Sequence, residues 1–291
     1  MRAAALLLLF LSSPALAHAG ETHGGWTLAP WIVVPLLASA SLYGWGWLRL
    51  RRRSEYGRTA LGRAALLFAA GWATLAAALV SPLHEAGEAS FTMHMIEHEL
   101  IMLPAALLLV AARPGAVFLW GLPAAARNRI GRAVHAAKPV WRGLTDPVAA
   151  TLLQLAVMAG WHAPALFGRA LERDSWHVAQ HLSFLLSALL FWWAMTHGRG
   201  GRHGHGTASL CLFLTSLGGG ALGALMTFSG SPWYEGYAAM GMTPQGLTPI
   251  EDQQLAGLLM WIPGGIFHAA AALYFLWQWL KSSEVSHAFA E

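Results

Sequence analysis

Only one cysteine, Cys211, occurs in 291 residues. An intramolecular disulfide needs two, so none can form, and a cysteine-based zinc or iron–sulfur centre is excluded with it. Charge is scarce as well: Asp, Glu, Lys and Arg make up 11% of the chain, against roughly 25% in a soluble domain. Catalytic signatures are missing too. There is no glycine-rich phosphate loop and no nucleophile with an assigned base, so the chain reads as a non-enzyme. What is abundant is apolar, 56% of all residues. Several stretches of about 20 residues carry no charge, the length a helix needs to cross hydrocarbon. The expectation is an all-α, polytopic transmembrane helix bundle.

The first residues read as a signal peptide, 1–17. Arg2 supplies the positive start, Ala3 to Leu11 the short apolar region, and Ala15-Leu16-Ala17 the small-x-small cleavage site. The rest, 18–291, reads as one membrane domain beginning at His18. Seven spans are expected at about 30–49, 60–81, 91–112, 147–167, 176–197, 207–228 and 253–280. Ser81-Pro82, Arg113-Pro114-Gly115, Asp146-Pro147 and Gly230-Ser231-Pro232 punctuate their ends. Pro104 and Pro263-Gly264-Gly265 fall inside spans, as kinks a bundle tolerates.

The calculated pI near 9.6 reflects topology, not nucleic acid. With the mature N-terminus outside, the inner loops hold Arg49, Arg51, Arg52, Arg53, Arg58, Arg63, Arg113, Arg127, Arg129, Arg132, Lys138, Arg142, Arg199, Arg202 and Lys281. The outer loops hold Arg169 and Arg173. Positive residues stay on the cytoplasmic side, which puts the C-terminus inside. Acids gather on the other side: Glu85, Glu88, Glu97, Glu99, Glu172, Asp174, Glu235, Glu251 and Asp252. Such a rim concentrates cations.

Two His-x-x-x-His pairs, His94/His98 and His177/His181, open the third and fifth spans. Four-residue spacing puts both rings of a pair on one helix face. At about 1.5 Å rise per residue, both pairs sit roughly 3–10 Å below the outer boundary. They can therefore face each other, and ionisable groups at such depth point to function. His162 closes the fourth span on the same side, and His84 lies in the loop before the third. Met95 and Met102 flank the first pair. Thioether beside imidazole suits a soft metal, copper above all. Glu97 is placed one turn from His94 to orient it, whereas Glu99 points away from the histidine face and reads as interfacial. Asp252 and Gln253 open the seventh span, with Met260 further along it, as supporting residues or as the approach to the cluster; helix capping accounts for Glu251 to Gln254 equally well. Pro232 to Tyr237 reads as an interfacial aromatic loop. His197, His203 and His205 read as a solvated inner loop, His135 and His287 as inner-surface residues, and His268 as a bundle hydrogen-bonding residue or a pathway ligand. His18 and His23 belong to a tail, or to a terminal ligand set.

Four fragments in order carry a resemblance. Phe91-Thr92-Met93-His94-Met95-Ile96-Glu97-His98-Glu99-Leu100 leads to the Leu109 to Pro114 span end. Trp161-His162-Ala163-Pro164 follows, then His177-Val178-Ala179-Gln180-His181 with Phe191-Trp192-Trp193. Last come Glu251 to Gly257 and Met260-Trp261-Ile262-Pro263-Gly264-Gly265. Over about residues 30 to 280 the chain resembles the multi-span cytochrome c oxidase assembly factors of the CtaG type. Glu97 stands where glutamine is commoner, and Ala105-Ala106-Leu107 where a proline is expected before the leucines. The resemblance implies a bacterial inner-membrane protein serving maturation of a haem-copper oxidase at a copper-insertion step. Its partners would be membrane lipid, oxidase subunits and periplasmic copper chaperones.

Three functional readings stand at this point. The first is an accessory factor holding Cu(I) on the outer side. The second is a haem-binding or redox protein, since opposed histidines can ligate haem iron. The third is a metal permease, which needs polar residues continuing inward, and the sequence offers little there beyond His268.

Overall fold

The computed structural model describes residues 25–53, 57–198 and 202–288. The expected signal peptide 1–17, with His18 and His23, lies outside these residues, as do the side chains of His203 and His287. All regular structure among the described residues is helical. In chain order the helices are α1 (Pro30–Arg53), α2 (Arg58–Val80), α3 (Pro82–Ala89) and α4 (Phe91–Leu100). A π-helical turn (Ile101–Ala105) leads to α5 (Ala106–Ala111). Then follow α6 (Gly115–Gly121), α7 (Ala124–Ala136), α8 (Lys138–Leu144), α9 (Pro147–His162) and α10 (Pro164–Glu172). The last are α11 (Asp174–His197), α12 (Arg202–Thr227), α13 (Glu235–Met240) and α14 (Pro249–Ala288).

Six stretches are long and apolar enough to cross a membrane: α1, α2, Phe91–Ala111, α11, Gly204–Thr227 and Pro249–Lys281. A seventh appears if α8 and α9, bent by 65°, form one broken span. The expected span 147–167 is too long: α9 stops at His162. Ala163 is extended, at φ −65° and ψ 126°, because the ring of Pro164 clashes with a helical predecessor; Pro164 then starts α10.

Helix starts follow capping chemistry. Asp146 accepts from the Val148 and Ala149 amides ahead of Pro147. Thr248 and Glu251 form a reciprocal capping box: Glu251 Oε2 accepts from the Thr248 amide at 2.8 Å, and Thr248 Oγ1 accepts from the Glu251 amide at 3.3 Å. Ser81 caps α3 with Pro82 at its first position, so the segment expected as a loop around His84 is a helix.

The core cluster gathers Phe91, Phe167, Phe184, Phe191, Trp192, Leu212 and Met226. Large apolar side chains also face outward, Leu66, Leu152, Phe213 and Phe228 among them, as hydrocarbon solvent permits. Helices α12 and α14 approach at Gly223 and Gly257. A Cβ on either would lie 2.5–2.6 Å from the other's carbonyl oxygen, so only glycine lets the backbones meet.

Pro104 shapes the third span. Its ring cannot donate and would strike the carbonyl four residues back, and the chain widens into the π turn there. The Trp192 indole donates to Met102 O at 2.9 Å across the turn. The turn begins at Ile101, three residues after His98, and rotates Met102 out of strict α register with His98 and Glu99.

Candidate metal centre

Short α3 folds back against the start of α4, where Gly87 leaves room for the His94 backbone: a Cβ on Gly87 would lie 3.2 Å from His94 Cα. Beside them stands the first third of α11. Five imidazoles converge where these helices meet. His94 and His98 have ring centroids 4.2 Å apart, His177 and His181 4.3 Å, and His98 and His181 5.0 Å. His84 stacks on His177 at 5.4 Å and lies 5.8 Å from His181. Two sets of three ligand atoms lie within 4.8 Å of one another: His94, His98 and His181, and His84, Glu97 and His181. His94, His98 and Glu97 are fully buried. No hydrogen-bond partner among the described residues reaches His94 Nε2, His98 Nδ1, His98 Nε2, His181 Nε2 or Glu97 Oε2. Buried nitrogens are ordinarily paired. A set of them facing one point is the donor pattern a metal ion satisfies.

Glu97 does not orient His94. Its Oε1 accepts from His84 Nδ1 at 2.7 Å and lies 3.7 Å from His181 Nδ1. Burial opposes the charged form of His84, but the hydrogen bond to Glu97 and the carboxylates of Glu97, Glu88 and Glu85 outweigh it, and its pKa stands above the ordinary value. Helical spacing alone could not bring His84 in, because its helix is separate. The signal for it was Ser81-Pro82, an N-cap and first-turn pair that opens a helix with His84 in its first turn. Gln180, buried between His177 and His181 in sequence, approaches His94 without reaching hydrogen-bond geometry.

Asp252 and Gln253 are 2% exposed and form no rim or approach. Asp252 accepts from Ser90 Oγ at 2.8 Å, the Phe91 amide at 2.6 Å and the Thr92 amide at 3.1 Å. It thus caps α4 from another helix and fixes the turn that carries His94. Gln253 Oε1 accepts from the Trp233 amide at 2.6 Å, and its Nε2 donates to Ser231 O at 3.3 Å, which ties down the 229–233 loop.

His162 is buried, but its Nδ1 donates to Met158 O at 2.7 Å, and it belongs to neither three-residue set. Met95 lies in the apolar core, while Met102 and Met260 line a different cavity, deeper along the bundle. Glu99 is not interfacial: a Cβ on Gly264 of α14 would lie 2.9 Å from its Oε2, so the carboxylate is packed against that helix.

Tyr234 and Tyr237 are not interfacial either. They fold over the histidine end, with Tyr234 donating to His162 O at 3.1 Å and Tyr237 to Gly87 O at 2.6 Å. Phe167 stacks on Tyr234 at 4.0 Å and meets His94 at 5.5 Å. At the opposite end, His197 is no free loop residue; it closes α11, stacks on Trp193 at 4.3 Å and accepts from Arg113 Nε. His205 lies in α12 against Phe275.

The molecule is thus a membrane-spanning helix bundle with a buried polyhistidine centre at one end. Its residues 41–282 match the family described as cytochrome c oxidase caa3 assembly factor (Caa3_CtaG), and the chain belongs to that family. The matched region contains the whole histidine centre. No curated protein and no solved structure matches the chain.

Proposed function

We propose that this assembly factor binds Cu(I) at the histidine centre and supplies it to the oxidase, from the outer side of a bacterial inner membrane. One observation carries the reading: His94, His98 and His181 bring ligand nitrogens within 4.8 Å of one another, several without any hydrogen bond. Copper is cargo here, so the site must release it. Imidazoles with few competing partners can exchange a metal with an incoming chaperone or oxidase ligand set. His84 and Glu97 complete the centre beside His181 and supply a carboxylate that offsets the positive charge of the ion.

Orientation rests on the lysine and arginine distribution, which collects Arg49 to Arg53, Arg113 and the α7 arginines at the end away from the histidines. Haem is the poorer fit. Imidazole centroids 4.2 to 5.9 Å apart leave no slot for a porphyrin between them.

The test is Cu(I) binding by purified protein in detergent, with a chromophoric chelator as competitor. Alanine at His94, His98 or His181 should weaken binding at least tenfold while the protein stays monodisperse. In cells the same variants should lower haem-copper oxidase activity, partly restored by added copper. Wild-type affinity in all three variants would sink the proposal.

A further inference from the structure

About one helical turn beyond His98 the bundle encloses a second cavity, of about 20 Å³, lined by Glu99, Met102, Gln154, Met158, Met260 and His268 with a few small residues. None of the five clustered histidines lines it. One water needs roughly 10–15 Å³ of such volume, so the space admits a single water or a monatomic ion and no organic ligand.

Its chemistry is unusual for a bundle interior. Met158 and Met260 converge from α9 and α14: a Cβ on Gly219 of α12 would lie 3.7 Å from Met158 Sδ and 3.9 Å from Met260 Cε. Met102 comes from the π turn, its sulfur 3.6 Å from Gln154 Nε2. Glu99 Oε2 and Gln154 Oε1 are buried and no hydrogen bond reaches either. His268 Nδ1 donates to Gly264 O at 2.9 Å. Its ring lies parallel to Trp192 at 5.8 Å. Methionine is a common filler of irregular cores, but a filler does not need an unpaired carboxylate oxygen beside it. A lone charge in hydrocarbon is costly, so the Glu99 carboxyl ionises there only with a cation beside it.

We propose that this cavity is a second Cu(I) site, with the thioethers of Met102, Met158 and Met260 as ligands and the Glu99 carboxylate balancing the charge. Three thioethers select a soft ion over sodium or magnesium. The site rests on the copper reading of the histidine centre but shares none of its residues. Met102 follows His98 by four positions, so the π turn links the two sites. Copper passes between them by ligand exchange, with no change of oxidation state.

The test is an anaerobic titration of the full-length protein in detergent with Cu(I), together with X-ray absorption of the bound metal. The wild type should bind two ions per chain, with both nitrogen and sulfur neighbours. The combined Met102→Leu, Met158→Leu and Met260→Leu chain should bind one and lose the sulfur signal; these swaps conserve core volume. The combined His94→Ala, His98→Ala and His181→Ala chain should bind one and keep the sulfur signal. A wild type with only nitrogen neighbours overturns the cavity site and leaves the histidine centre standing, and it needs no variant to fold. Unchanged stoichiometry in the methionine variant also overturns it. Failure of the histidine reading looks different: one ion per wild-type chain, sulfur-bound and indifferent to the histidine changes.

Discussion

His84 donates through Nδ1 to Glu97 Oε1 at 2.7 Å, joining short α3 to α4 and setting a carboxylate between His84 and His181. The contact makes one unit of what the sequence presents as a loop histidine and a histidine pair. Glu97→Gln keeps an acceptor for His84 and removes the charge. The bundle should therefore fold normally, with Cu(I) affinity about 10- to 100-fold lower, the usual effect of losing an outer partner of a metal ligand. His84→Ala should weaken binding by a similar factor, while His135→Ala, on exposed α7, changes nothing. Chelator competition reads all three; affinity unaltered by both Glu97→Gln and His84→Ala would separate this pair from the metal.

The same pair makes the metal-free protein sensitive to pH. Burial lowers the pKa of His84, but Glu97, Glu88 and Glu85 together raise it above its ordinary value, and the rings of His177 and His181 pack beside it. A raised pKa in the folded state stabilises the fold fully below about pH 6.5, the unfolded value. That contribution disappears as pH rises through the folded value. Thermal unfolding of chelator-treated protein should show the Tm difference between the wild type and the His84→Ala chain changing across that window, with the wild type losing ground as pH rises. Equal slopes in the two chains would remove the pair from the account.

Asp252 is the residue on which the histidine face of α4 depends. Its carboxylate accepts from one hydroxyl and two backbone amides, and its removal leaves buried donors unpaired. Asp252→Ala should cost about 2–3 kcal/mol, the range for hydrogen bonds to a charged group and a lost cap. Asp252→Asn should cost less. Thermal unfolding in detergent measures both. If Asp252→Ala unfolds like wild type, the cap is not what sets the start of α4.

Topology is testable without metal. A reporter active only in the periplasm should be silent when fused after Glu291 and active in the loop between α13 and α14. The opposite pattern would turn the histidine centre toward the cytoplasm.

Composition alone determined that this is a helical membrane protein. The charge-free stretches can satisfy their backbone groups in lipid only as helices, and their bounds are set by local signals such as Asp146-Pro147 and Thr248-Pro249. Helical periodicity likewise put His94 with His98 and His177 with His181, since both members of each pair lie on one element. What the sequence could not contain is which elements touch. His84 and Glu97 are thirteen residues apart, and Asp252 reaches Ser90 across 162 positions. Glu99 read as interfacial because helix geometry turns it away from His94 and His98. Only the packing of α14, at Gly264, shows that the opposite face of α4 is also interior. Tyr234 and Tyr237 read as a membrane belt because aromatic loops commonly are one, and their hydroxyls instead find carbonyls on other segments. The polar groups around the deeper cavity were hidden for the same reason. Glu99, Gln154 and His268 come from three helices, and a cavity shared among several helices has no period in any one of them.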